Sequence, residues 1–132
     1  MRIIQIKEVE FGQDDRGWSI QPITDEDIKS GMIGDIHMVS MKPGVIRGNH
    51  YHEYKTENIL VIGSTCRVVV MDNITKEREE RVIEDNKKVL FVVPPNITHA
   101  IKNVGKEMSY LFCYSNAKKY LDKHDIVRNL II

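Results

Sequence analysis

Short runs of β-branched and aromatic residues alternate with turn residues along most of the chain. The runs that indicate strands are IIQIKEV, GDIHMVSMK, VIRGNHYH, ENILVIG, TCRVVVMD, RVIED, KVLFVVP, HAIKN and MSYLFCYS. Glycines, or the dipeptide Asp72-Asn73, stand between several of them, as in the tight connections of antiparallel sheets. Many short strands at this spacing predict an all-β sandwich or barrel.

Helical signals are confined to two short stretches. Thr24 is followed by the acidic residues 25–27, a cap and first turn that predict one short N-terminal helix ending near Gly31. A second helical turn is expected near Lys118–Lys123. There is no linker, repeat or low-complexity segment in the sequence, so we expect residues 1–132 to form a single domain.

An immunoglobulin-like sandwich is the alternative all-β architecture. That fold sets a tryptophan between two core cysteines. Here Trp18 precedes both Cys66 and Cys113, so the pattern favours a barrel.

The run VLFVV is apolar at every position, which is typical of a strand covered on both faces. In a small barrel the interior covers one face. We therefore expect a partner subunit to cover the other, which predicts a homodimer.

Charge and composition narrow the classes of function. Apolar residues make up 42% of the 132 residues and charged residues 29%, with a formal net charge of zero. No diffuse basic field is present, which argues against nucleic-acid or membrane partners. The N-terminal run MRIIQIKEVEF is too short and polar to predict a signal peptide. Cys66 and Cys113 lie in apolar runs, so buried reduced thiols and a cytoplasmic location are expected.

Three of the five histidines form an arrangement that suggests a metal site. His50 and His52 are two residues apart on a predicted strand, so both side chains leave the same face. Glu57 follows a polar break and opens the next predicted strand, which we expect to return beside the histidines as in a hairpin. His99 follows the rigid turn that begins at Pro94-Pro95. His-x-His alone is often only a surface pair; its combination with Glu57 and His99 favours metal binding.

Three imidazoles and one carboxylate suit a borderline divalent ion. We expect one such ion per chain, with zinc preferred and iron, manganese, nickel or cobalt as alternatives. His37 and His124 have no comparable neighbours in the sequence and are not expected to be ligands.

Two stretches of the chain resemble the two sequence motifs of the cupins. Residues 44–63 carry Gly44, His50-x-His52, Glu57 and Gly63, the order of the first motif. Pro94, His99 and Asn103 are similar to the second motif, although Lys88 and Asn96 replace its glycines. Asparagine tolerates the left-handed conformation, so the turn at Asn96 should survive. The resemblance implies a cupin double-stranded β-helix, a jelly-roll barrel.

A narrower resemblance concerns sugar chemistry. The stretch KPGVIRGNHYHEYKTENILVIG is similar to the C-terminal cupin domain of capsular polysaccharide epimerase/reductases. The stretches DDRGWSIQPI and GDIHMVSMKPG also resemble dTDP-4-dehydrorhamnose 3,5-epimerases and sugar 3,4-ketoisomerases. This resemblance implies a nucleotide-sugar epimerase or isomerase of surface polysaccharide biosynthesis that acts on a 4-keto-6-deoxy sugar.

The same resemblance implies roles for individual residues. Arg47 would bind the substrate pyrophosphate, for which an ion pair at the barrel rim is the alternative. In the rhamnose-type epimerases the residue matching His50 is a general base and no metal is bound; the presence of His52 here supports the metal-bearing branch. Candidates for proton transfer are Tyr54, Lys55 and Tyr114.

Two other classes of function remain open. A histidine-rich cupin site is compatible with a small iron-dependent dioxygenase. A non-catalytic sugar-binding or regulatory module is the third reading.

Overall fold

The computed structural model describes residues 1–116 and 125–132. In this part of the chain there are twelve strands and one short helix, α1 (Asp25–Ser30). The strands are β1 (Gln5–Glu8), β2 (Gly12–Asp14), β3 (Gly17–Ser19), β4 (Asp35–Met41), β5 (Ile46–His52), β6 (Glu57–Gly63), β7 (Cys66–Asp72), β8 (Arg78–Ile83), β9 (Val89–Val93), β10 (Ile97–Asn103), β11 (Ser109–Ser115) and β12 (Ile126–Arg128).

The strands form two five-stranded antiparallel sheets and a small hairpin. The first sheet has the order β1-β9-β6-β11-β4, the second has the order β12-β5-β10-β7-β8, and β2 pairs with β3. Residues of both sheets meet in one buried cluster, whose largest fully buried members are Phe91 and Met41. The predicted all-β class is confirmed.

The predicted helix is confirmed with its cap. The Thr24 hydroxyl accepts the N–H of Asp27, and the Asp27 carboxylate accepts the N–H of Thr24. Gly31 ends the helix in the left-handed conformation at φ 69°. Among the described residues no helix is long and apolar enough to span a membrane.

Over β6 and β9, the outer face of the first sheet is covered by the chain itself. Leu60 and Leu90 of β6 and β9 are buried there, in a cluster that includes partly buried residues of the N-terminal segment. These are Val9, Ile20, Ile23 and Ile33. The expected cover of VLFVV by a partner subunit is therefore wrong, because side chains of residues 9–33 pack on that face. The homodimer remains a prediction.

Both cysteines are free and buried, as predicted. Asn96 has the expected left-handed conformation, at φ 66°. Its N–H donates to the carbonyl oxygen of His52 at 2.8 Å, so the turn of the second motif is tied to the end of β5.

Two further features differ from the sequence-based expectations. The predicted hairpin between β5 and β6 is wrong, since β6 joins the opposite sheet, between β9 and β11. The short strands β2, β3 and β12 were not predicted; each has only three residues. The helical turn expected near Lys118–Lys123 lies outside the described residues.

Candidate functional site

Three histidines meet between the sheets. His50 and His52 lie on β5, and His99 lies opposite His50 on the neighbouring strand β10. The ring centroid of His50 is 5.2 Å from that of His52 and 4.8 Å from that of His99. One ring nitrogen of each histidine lies within 4.8 Å of the others. Three imidazoles at this separation can face a single ion.

A β-bulge in β5 decides which residues face this cluster. His99 pairs with His50, whereas the next residue of β10, Ala100, pairs with Gly48, so Asn49 is the extra residue. Without the bulge, Arg47 and His50 would lie on opposite faces, because they are three residues apart. With it, Arg47 and His50 line the same cavity.

Gly48 is required by this geometry. Its φ is 93°, and a Cβ atom placed on it would lie 2.5 Å from the carbonyl oxygen of His99. Only glycine allows β5 and β10 to approach so closely at the histidines.

Glu57 approaches the cluster from the opposite sheet. It is the first residue of β6, and its carboxylate oxygens lie 3.4 Å from His52 Nε2 and 3.8 Å from His99 Nε2. Burial by itself raises the pKa of Glu57, but the adjacent imidazoles of His52 and His99 outweigh burial and lower the pKa to about 2. The carboxylate is therefore ionised at neutral pH.

Contacts behind the rings orient two of the histidines. His99 Nδ1 lies 3.3 Å from the carbonyl oxygen of Ile97, to which it can donate, and this leaves the Nε2 lone pair toward Glu57. His52 Nδ1 lies 3.6 Å from the carboxylate of Asp125, and its Nε2 faces Glu57. Both nitrogens of His52 are buried without a hydrogen-bond partner among the described residues.

Asp125 is buried and held firmly by the backbone. Its carboxylate accepts N–H groups from Glu53, Tyr54 and Lys55, at 2.7, 2.8 and 3.2 Å. This carboxylate behind a ring nitrogen resembles the outer-shell partner that orients a metal-binding histidine.

The protonation states also suit a metal. Burial, followed by the charges of His99 and His52, lowers the pKa of His50 to about 4. Burial likewise lowers the pKa of His99, against the opposing charge of Glu57. At neutral pH these imidazoles are neutral, as metal coordination requires. The converging nitrogens, the unpartnered His52 and the ionised Glu57 fit a divalent ion.

The cluster opens into a cavity of about 390 Å³ between the sheets. Its apolar wall includes Ile59, Ile101, Leu111 and the thiol of Cys113, whose pKa burial raises. Arg47 and Arg128 also line it. They donate to the carbonyl oxygens of Ser40 and Gly48, at 3.1 and 3.4 Å, and neither forms an ion pair with a residue that the structure describes.

The candidates for proton transfer lie in three different environments. Lys55 Nζ is 3.5 Å from a Glu57 oxygen, at the edge of the cluster. Tyr54 is 73% exposed and Tyr114 is buried on the outer face of the first sheet with Leu60 and Leu90, and neither lines the cavity. Tyr114 points away because it alternates with Cys113, which faces the cavity.

Four residues that line the cavity or contact a histidine of the site were not among the sequence-based candidates. Asp125 and Arg128 belong to a segment with no recognisable motif, and only the pairing of β12 with β5 brings them to the site. Asp35 and His37 alternate on β4, a spacing that signals one shared strand face. His37 lines the cavity, although it does not belong to the three-histidine group.

One protein-family model matches most of the chain. The model described as polysaccharide biosynthesis C-terminal domain matches residues 13–126, which include all four predicted ligands. The chain belongs to this family.

A curated enzyme with a UDP-sugar in its name is among the relatives of this chain. The UDP-2-acetamido-2,6-beta-L-arabino-hexul-4-ose reductase of Pseudomonas aeruginosa is 32% identical over 91 residues, which are 69% of this chain and 24% of the reductase. The chain thus spans about a quarter of the length of that protein.

Solved structures show the same fold. The capsular polysaccharide assembling protein CapF of Staphylococcus aureus superposes with a TM-score of 0.67 at 22% identity, over 95% of this chain and 33% of CapF. QdtA, a sugar 3,4-ketoisomerase of Thermoanaerobacterium thermosaccharolyticum solved with TDP, has a TM-score of 0.72 at 15% identity, over 96% and 88% of the two chains. The predicted cupin barrel is confirmed by these likenesses.

Proposed function

We propose that this chain is a metal-dependent nucleotide-sugar epimerase or isomerase that acts on a 4-keto-6-deoxy sugar in surface polysaccharide biosynthesis. The observation that carries the proposal is one cavity lined by both an imidazole cluster and two arginines without ion-pair partners among the described residues. In a keto sugar linked to a diphosphate, the ketone would face the imidazole cluster and the diphosphate would face the arginines. The names of the reductase and of the ketoisomerase solved with TDP support this substrate class.

His50, His52 and His99 would hold one divalent ion, with Glu57 beside two of them. Zinc is our preferred ion, with iron, manganese, nickel and cobalt as alternatives. Such an ion, when bound, acts as a Lewis acid that polarises the ketone oxygen and stabilises the charge of an enolate.

The remaining residues bind and enclose the substrate. The planar guanidinium groups of Arg47 and Arg128 are suited to bidentate contacts with phosphate oxygens. The apolar side chains of Ile59, Ile101 and Leu111 would exclude water from the sugar, which strengthens the polar interactions inside the cavity.

The metal is tested by elemental analysis of protein reconstituted with zinc. We expect one equivalent per chain in the wild type and its loss in His52→Ala, with the circular dichroism spectrum unchanged. His37→Ala serves as a matched control that should retain the ion. Wild-type protein that stays far below one equivalent would overturn the metal assignment.

The reaction is tested in D2O with two probes, a UDP-linked 2-acetamido-2,6-dideoxy-4-keto-hexose and a dTDP-linked 4-keto-6-deoxyhexose. We expect NMR and mass spectrometry to detect deuterium on a carbon next to the ketone. Binding of both probes without deuterium would instead favour a non-catalytic sugar module. Oxygen uptake with thiols or diketones, and no exchange, would favour a dioxygenase.

We also propose that two copies associate through the outer face of β4 and β11. Ile36, Met38 and Tyr110 are large apolar side chains exposed on these adjacent strands, and β4 lies at the edge of its sheet. An antiparallel edge can pair with its own copy about a two-fold axis. Sedimentation should show a dimer that Met38→Glu converts to a monomer. The control Ile74→Glu changes an exposed residue after β7 and should remain dimeric.

A further inference from the structure

His37 lines the cavity without belonging to the metal-site cluster, and its ring contacts Asp35. Asp35 and His37 occupy alternate positions of β4, so both side chains are on the same face of the strand. His37 Nδ1 is 3.2 Å from an Asp35 carboxylate oxygen, and His37 lines the cavity together with His50 and Glu57. The side chain of Asp35 is 12% exposed and that of His37 is 38% exposed.

This contact determines which nitrogen of His37 can act as a base. An ionised Asp35 can only accept a hydrogen bond, so the proton of a neutral His37 lies on Nδ1. The lone pair is then on Nε2, and a carboxylate behind the ring stabilises the imidazolium that forms when Nε2 takes a proton.

The other basic groups near the cavity have competing partners. His50, His52 and His99 converge on one another and would be occupied by an ion. Lys55 contacts Glu57, and the two tyrosine candidates do not line the cavity. His37 is thus an imidazole that faces the substrate volume without belonging to the metal cluster.

We propose that His37 is the acid–base residue of the reaction and that Asp35 is its positioning residue. This inference rests on the proposed function, because it assigns the proton-transferring group of that same site. It replaces Tyr54, Lys55 and Tyr114 as the leading candidate.

The step moves one proton and needs no oxidant or reductant. His37 Nε2 takes the proton from the carbon next to the ketone, the C–H electron pair forms the enolate double bond, and the carbonyl electron pair moves to oxygen. Reprotonation of a carbon of the enolate reverses these movements. Because His37 is partly exposed, its proton exchanges with water, and solvent deuterium should enter the product.

The test compares deuterium exchange in the zinc-loaded wild type, His37→Ala, His37→Gln and Asp35→Asn with the two keto-sugar probes. We expect both His37 variants to lose about 10²- to 10⁴-fold in exchange rate, the usual contribution of a general base. Asp35→Asn should lower the rate with little change in probe affinity. Free imidazole should restore exchange to His37→Ala, which a purely structural role would not produce. Zinc content should be unchanged throughout.

The control is Lys42→Gln, which replaces an exposed ionisable residue just after β4 and should keep the wild-type rate. Exchange by His37→Gln at the wild-type rate would overturn the role of His37 while leaving the proposed function intact. If the wild type itself binds the probes and catalyses no exchange, both the proposed function and this inference are wrong.

Discussion

At the scale of single residues, the site depends on two positions that are neither proposed metal ligands nor proposed acid–base groups. Gly48 allows β5 to pass the carbonyl oxygen of His99 at a distance that any Cβ atom would violate. Asp125 lies behind His52, where its carboxylate also accepts three backbone N–H groups. Gly48 thus sets the spacing of β5 and β10, and Asp125 orients the ring of His52.

We predict that Gly48→Ala destabilises the protein more than Gly44→Ala. Both glycines have positive φ, at 93° and 83°, so alanine is strained by about 1–2 kcal/mol at either position. At Gly48 the new methyl group also meets the backbone of His99, whereas the space at Gly44 is open. Overpacking adds about 1–3 kcal/mol. Urea unfolding should resolve the difference, and equal losses would contradict the close approach of the two strands.

For Asp125→Asn we predict weaker zinc binding without loss of the fold. Outer-shell partners of metal-binding histidines contribute about 10- to 100-fold in affinity. The variant keeps an oxygen acceptor for the loop N–H groups but removes the negative charge beside His52. Competition with a chromogenic chelator measures the affinity. Asp72→Asn, at the last residue of β7, is the control and should bind zinc as the wild type does.

At the scale of elements, the residues that follow the C-terminal strand β12 are fastened to the barrel by the bulge residue Asn49. The Asn49 oxygen accepts N–H groups from Ile131 and Ile132, at 2.9 and 3.2 Å, and its amide donates to the Ile132 carbonyl. The side-chain amide of Asn129 donates to the hydroxyl of Thr98 on β10, at 2.9 Å. The bulge that turns Arg47 toward the cavity therefore also holds the strand that carries Arg128.

Asn49→Gly should loosen β12 and the residues after it. Glycine keeps the positive φ of 55° without strain but removes the three side-chain hydrogen bonds, each worth about 0.5–1.5 kcal/mol. We expect faster amide exchange at Val127 and Arg128, measured by NMR, while β6 and β9 are unaffected. Asn49→Asp retains the accepting oxygen, so its amide exchange rates in β12 should lie between those of the wild type and of Asn49→Gly. Unchanged exchange at β12 in Asn49→Gly would show that the tail is held by other contacts.

At the scale of the whole molecule, the barrel buries ionisable groups whose pKa values are lower than their ordinary values. His50 has a folded pKa of about 4 against an ordinary value of 6.5, and Glu57 has a pKa of about 2 against 4.5. Between about pH 6.5 and 4 the unfolded chain binds more protons at His50 than the folded chain. Between about pH 4.5 and 2 the unfolded chain likewise binds more protons at Glu57 than the folded chain. Both groups therefore make folding less favourable as the pH falls.

We predict that the melting temperature of the metal-free protein decreases as the pH falls from 7 to 4. His50→Gln removes one of the titrating groups and should flatten the dependence between about pH 6.5 and 4. Calorimetry in the presence of EDTA provides the measurement. A melting temperature that rises with acidification would contradict the stated direction. A His50→Gln profile parallel to the wild type would contradict the contribution of His50.

Local signals in the sequence were sufficient for most elements and for the shared strand face of His50 and His52. The apolar runs predict the long strands, and Thr24 with its acidic successors predicts α1, because both depend on residues close in the chain. His50 and His52 share a face by simple alternation. Asn96 adopts the left-handed turn that asparagine tolerates.

The tertiary structure decided how these pieces meet. Whether β6 returns beside β5 or joins the opposite sheet depends on pairings distant in sequence, so the expected hairpin was wrong. The bulge at Asn49 reverses the alternation of β5 and places Arg47 with His50, which counting residues does not anticipate. Strand register brings His37 and Arg128 to the cavity. It also places Asp35 beside His37 and Asp125 beside His52. Local preferences determine strands and turns, whereas sheet order and register determine which side chains share a site.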